Sequence, residues 1–324
     1  MAPGPDDGSG QRTYIRGPLT AELADGRSPV RRFLEARFGH GLRDVQRRYR
    51  LDAPDLVVPA VPREVLNPGT LGGAADWLLR FMLHPAPSLE LAITGAGFFG
   101  ARSGMVAALA EIAGSLGISS VAATSTTGSG FRGPAGGNDA DPESLARACW
   151  ALSLLTEVFR VGRIAAASGP LSPFLERPAS AAELLALAPP AALDQLAEFR
   201  HVYETTLIPV LALCPGRWYL GPTFTGSRLV RADADLIAAG LLIDLKTAAA
   251  KPSLGIKEAF QLIGYALLDF HDDYRLTVVG IFSARYAYLA TWDLNELLDR
   301  LAGHAISLAD TRDEFRRLLL ACVP

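Results

Sequence analysis

Residues Ala232–Thr247 read ADADLIAAGLLIDLKT. Two apolar runs flank Ala239-Gly240, where glycine suits the positive φ of a tight turn, so the stretch is expected to form an antiparallel hairpin with strands near 227–237 and 241–247. With a two-residue loop, Asp235 stands opposite Asp244 and Asp233 opposite Lys246, and directly opposed residues share a face. Like charges opposed across a ladder destabilise it, more so among Leu236, Ile237, Leu242 and Ile243. Such a pair calls for a positive charge between the carboxylates. A hard divalent cation suits the place, because Mg²⁺ takes oxygen ligands and is commonly held by one or two carboxylates. The same acids on a solvated hairpin would need no cation, but LIAAG and LLID read as strands covered on both faces.

Around the hairpin, alternating periods place strands near 217–222, 275–282 and 286–292, with helices at 254–270, 293–302 and 308–322. On the 254–270 helix Gln261 and Tyr265 are four apart and share one face. Asp235, eight residues, then Asp244-Leu245-Lys246, followed by Gln261-x3-Tyr265, resembles the signature of the PD-(D/E)XK nuclease superfamily and its RecB-like branch. The resemblance covers roughly 195–295, a third of the chain. It implies an α/β fold with a restriction-endonuclease-like mixed sheet flanked by helices, dependence on Mg²⁺ or Mn²⁺, and hydrolysis of DNA, or RNA, phosphodiesters. Carried onto this chain, Asp235, Asp244 and the main-chain carbonyl of Leu245 hold the metal. Lys246 positions the attacking water, and Gln261 and Tyr265 order the lysine or the substrate backbone. The family adds an upstream helical acid and sometimes a histidine; Glu204 is the first candidate, with His201 three residues before it and Glu198 as the alternative. The branch's iron–sulfur subgroup needs four cysteines, and this chain has three scattered ones, Cys149, Cys214 and Cys322.

Lysine usage points to the same place. Of 31 lysine and arginine residues only three are lysines, all between 246 and 257. Where arginine serves as the general cation, a retained lysine is a candidate for a task needing a compact ammonium.

Towards the N-terminus, residues 1–18 read as a flexible tail, 19–123 as a mainly helical region, 124–144 as a linker and 145–324 as the nuclease-like domain. Helices are expected within 19–49, starting at Ser28-Pro29 in one case, and at 70–83, 145–167 and 181–213. Arginines crowd 27–50, as a solvated helical face or as a phosphate-contacting patch. The helical region matches no motif and is available to protein partners. Net charge is −3, so nucleic-acid contact would use local patches. No apolar run is long enough for a membrane span and no secretion signal opens the chain, so a cytoplasmic protein without membrane partners is expected.

Two other classes were weighed. Gly95, Gly97 and Gly100 satisfy the G-x-G-x-x-G of a nucleotide-cofactor site, with 89–94 as first strand and ISSVAATS as second. No acid follows until Asp139, so helix packing and turns explain the glycines better. A catalytically idle interaction protein on the same fold would have no physical reason to keep opposed carboxylates.

Overall fold

The computed structural model describes residues 14, 15, 17–118 and 130–322. Its centre is an open six-stranded mixed sheet, β1 (Phe131–Arg132), β2 (Arg217–Leu220), β3 (Leu236–Ala238), β4 (Leu241–Lys246), β5 (Val278–Ser283) and β6 (Tyr288–Asp293), paired in that order. All neighbours are antiparallel except β4 and β5, which are joined through the Ile256–Leu268 helix as a parallel pair requires. The chain is thus of the α/β class.

The hairpin turns at Ala239 (φ 51°) and Gly240 (φ 87°), both left-handed, the geometry that matches strand twist. Leu236 therefore pairs with Ile243 and Ala238 with Leu241, the register the turn position requires. β3 is shorter than expected. Residues 225–228 form a 3₁₀ turn, and Asp233 makes only an isolated bridge, to Thr223. Asp233 consequently does not stand opposite Lys246.

Both faces of the sheet are covered, which is why its strands lack an apolar–polar alternation. Leu236, Ile243 and Phe282 join a core with the Pro68–Leu83, Pro142–Val161 and Pro190–Val202 helices. Ile237, Leu242, Val279 and Ile281 join a second core with the Ile256–Leu268, Leu294–Ala302 and Leu308–Ala321 helices. Helices Leu19–Ala24, Pro29–Phe38 and Leu42–Asp52 also pack into this second core. Side-chain caps set several helix starts, among them Ser28, Asn67 and Asp141, each accepting from backbone N–H groups one turn ahead of a proline-led helix.

The expected division at 124–144 does not separate two cores, since residues from both sides share each one. Part of that linker is β1, whose Phe131 pairs with Trp218; the rest of it up to residue 129 lies outside the described residues, as do 1–13 of the expected tail.

The nucleotide-cofactor reading loses its first strand. Residues Glu90–Gly97 are helical, so no strand leads into the glycines. Gly95 lets this helix approach the Pro142–Val161 helix, since a Cβ there would lie 1.9 Å from the Leu155 carbonyl oxygen, and Gly100 (φ 80°) turns the chain. The second strand of that reading, apart from Ile118, falls outside the described residues. Among the described residues no helix is long and apolar enough to cross a membrane.

Candidate active site

Side chains alternate along β4, so Leu242, Asp244 and Lys246 face the Ile256–Leu268 helix while Ile243 and Leu245 face the opposite layer. The β3–β4 ladder stops at the Leu236–Ile243 pair. Leu245 N–H, which a longer β3 would have bonded through its backbone, instead donates to Asp235 Oδ2 at 2.6 Å. The short strand thereby turns the Asp235 carboxylate back over the end of β4. A cleft of about 270 Å³ opens there, lined by Asp76, Arg160, Asp233, Asp235, Asp244 and Lys246, with Gln261 and Tyr265 on its helical wall.

A relay fixes the lysine. Lys246 Nζ donates to Gln261 Oε1 at 3.0 Å, and Gln261 Nε2 donates to Tyr265 Oη at 2.7 Å. Because the ammonium can only donate, the amide oxygen faces it and the amide nitrogen is left to donate to the phenol oxygen. Lys246 Nζ also stands 2.7 Å from Asp244 Oδ2. Burial alone would lower the lysine pKa, but Asp244 beside it, aided by Asp235, more than offsets this and the pKa is raised. Lys246 is therefore an ammonium, suited to orienting a water or an oxyanion and unsuited to taking a proton. Tyr265 stays a phenol, its pKa raised by burial and then by Asp244.

Asp235 carries the strain of the cleft. Burial raises its pKa well above the usual carboxylate range, Asp76 and Asp244 add to the rise, and the Leu245 N–H and Arg160 oppose it. Asp244 is itself buried, and its Oδ2, despite the nearby lysine, accepts no aligned hydrogen bond. A buried carboxylate oxygen with unused lone pairs, beside a carboxyl disfavoured as an anion, is an arrangement a hard cation would relieve. Among the described residues no three His, Cys, Asp or Glu side chains form a ready-made metal-ligand group. The Asp235 and Asp244 carboxylates could hold Mg²⁺, an ion that keeps several waters.

Glu204 is not part of the cleft. It lies in a wide π-helical turn, Tyr203–Leu207, just before Pro209, whose missing N–H breaks the regular ladder. The side chain is exposed and paired with Arg200 at 3.0 Å. His201 and Glu198 are exposed as well, because this helix turns Gln195, Leu196, Phe199 and Val202 towards the sheet and its polar face towards solvent.

The acid that an upstream helix does bring to the cleft is Asp76, from Pro68–Leu83. It is buried and held by Arg80, with Nε at 3.0 Å and a terminal guanidinium nitrogen at 2.5 Å. Burial raises the Asp76 pKa against the pull of Arg80. The sequence signal was present in TLGGAADWLLRFML, where one aspartate interrupts an apolar helix with an arginine four residues on. Arg160, which no sequence pattern singles out, arrives from the last turn of Pro142–Val161. The arginines of 27–50 do not line the cleft; Arg27, Arg31, Arg37 and Arg47 are paired with Asp25, Glu35, Glu314 and Asp44. Lys251 and Lys257 are exposed, so only Lys246 of the three lysines sits in the site.

Compared with protein-family models, curated proteins and solved structures, the chain matches none.

Proposed function

We propose that this chain is a divalent-metal-dependent nuclease, hydrolysing phosphodiester bonds of DNA or RNA in the cleft at the end of β4. The observation that carries the reading is the Tyr265–Gln261–Lys246 relay ending on Asp244, with Asp235 brought over the same strand end. Asp235 and Asp244, with the Leu245 carbonyl, are the residues that would hold Mg²⁺ or Mn²⁺, and Asp76 adds negative charge behind them. Such an ion, when bound, lowers the pKa of a coordinated water and neutralises charge developing on phosphorus.

The protein's own groups supply the orientation. Lys246 Nζ donates to Gln261 and lies beside Asp244 as an ion pair, and an ammonium carries three protons, so one remains for a water or a phosphate oxygen. Preorganised donors of this kind act strongly in a site sheltered from bulk solvent. With Asp244 and Asp235 beside it the Lys246 ammonium holds its proton, which suits it to orienting a water or a phosphate oxygen.

The test offers labelled single-stranded, duplex and closed circular DNA, and RNA, to the purified protein with Mg²⁺, Mn²⁺ or a chelator. Lys246→Ala is expected to lower turnover about 10²–10³-fold, the usual loss on removing a preorganised electrostatic donor. Cleavage that persists unchanged in this variant would sink the reading.

A further inference from the structure

We propose that Arg160 is the phosphate-binding residue of this cleft, with Asp233 as the group that orients it. This rests on the nuclease reading for its substrate, and it assigns a role outside the segment that carries the motif resemblance.

Two arginine–aspartate pairs stand at the cleft, and they differ in how much of the guanidinium is used. Arg80 spends Nε and a terminal nitrogen on Asp76 and is only 2% exposed, so it is closed off from a ligand. Arg160 spends one terminal nitrogen on Asp233, at 2.5 Å, and remains 36% exposed. Among the described residues its Nε and its other terminal nitrogen have no partner, and the side chain lines the cleft. A structural ion pair saturates its fork; a recognition fork keeps an edge open.

The chemistry of that edge selects a phosphodiester. Two parallel N–H donors match the two non-bridging oxygens, and the guanidinium is charged at every working pH. The neighbouring carboxylates hold it charged: Asp233 first, with Asp76 and Asp235 adding, outweigh the effect of burial. The other cations are less suited. Lys246, held by Gln261 and Asp244, can offer a phosphate at most a point contact and no fork, and Arg231 is exposed at the rim, with no side-chain partner among the described residues to fix it.

The experiment measures anisotropy of a fluorescein-labelled single-stranded oligonucleotide in chelator, where nothing is cut, over a range of salt. Arg160→Gln is expected to weaken binding about 10-fold or more and to reduce the slope of log K against log salt by about 0.7, one phosphate contact. Arg160→Lys should keep the slope and recover part of the affinity. Asp233→Asn is the discriminating variant. The amide oxygen still accepts from Arg160 and orients it while the competing charge is gone, so binding should stay equal or tighten, whereas a purely structural pair predicts that both substitutions weaken binding alike. Unchanged binding in Arg160→Gln, or equal losses in Arg160→Gln and Asp233→Asn, would overturn the assignment. Should Arg160→Gln fail to fold, weaker binding in Asp233→Asn would overturn it and equal or tighter binding would support it. Arg160-dependent binding without cleavage by the wild type keeps this inference and sinks the nuclease reading. Cleavage with Arg160-independent binding does the reverse, and a wild type that neither binds nor cleaves overturns both.

Discussion

Asp235 is where stability and chemistry pull apart. Its pKa is raised in the folded protein by burial and by Asp76 and Asp244. Between the unfolded and folded pKa values the folded chain binds the extra proton, so this group's contribution to stability falls as pH rises through that window. Asn cannot ionise and still offers an oxygen to Leu245 N–H. In chelator at about pH 8, Asp235→Asn should therefore melt about 2–4 °C above the wild type, and the difference should vanish towards about pH 4. Metal binding must displace the same proton, so the melting shift caused by Mn²⁺ should grow from about pH 5 to about pH 8 in the wild type and be absent in the variant. Thermal unfolding at each pH, with and without Mn²⁺, checks both. Equal melting of the two proteins in chelator at about pH 8 would show that Asp235 is not strained. That Asp244 and Lys246 share one face, and Gln261 and Tyr265 another, was legible from spacing, because pairing parity and the helical i,i+4 rule convert sequence intervals into shared faces, while their union in one site was implied only by the motif resemblance. Asp76 stood out only as a polar break in an apolar helix, and nothing placed it or Arg160 at the cleft, since no local period links a residue to a partner in a distant helix.

At the level of elements, the hairpin turn sets the register that places Asp235 near Asp244. Gly240 has φ 87°, and a Cβ there would come within 2.7 Å of the Arg275 carbonyl oxygen. Gly240→Ala should cost on the order of 1–2 kcal/mol from the left-handed backbone alone, read by chemical denaturation. Ala239 is an L-residue in the left-handed region with an exposed side chain, so Ala239→Asn should be neutral or stabilising by about 0.5 kcal/mol. Opposite signs at adjacent positions are the signature of this turn type, and a loss of similar size at both would contradict it. The turn was readable because glycine restricts the options. The early end of β3 was not, since 227–235 carries strand-like residues whose bonds are taken by the 3₁₀ turn and by Thr223. β1 is a two-residue edge, too short for any period to register.

Across the whole molecule, the two cores each draw on residues from both sides of 124–144. The composition change at 124–144 suggested a domain boundary, but a linker-like composition reports local solvation, not which surfaces are buried against each other. Removing residues before 145 would strip the Pro68–Leu83 helix from one face of the sheet and the Pro29–Phe38 helix from the other. A fragment of 145–324 is therefore expected to lack a cooperative unfolding transition by circular dichroism, while the full chain shows one. A soluble, cooperatively melting fragment would restore the two-domain reading. The same interleaving explains how Asp76 and Arg160 reach a site whose motif lies elsewhere in the chain.

The cleft's assignment turns on whether phosphodiester hydrolysis needs both the metal and the β4 aspartate. The measurement is the initial rate of cleavage of a labelled oligonucleotide, titrated with Mg²⁺ or Mn²⁺, by the wild type and by Asp244→Asn. The expected result is a wild-type rate that saturates with metal and is abolished by chelator, with the variant slower by about 10³-fold or more. Cleavage that ignores the chelator, or that proceeds equally in the variant, would contradict the proposed chemistry.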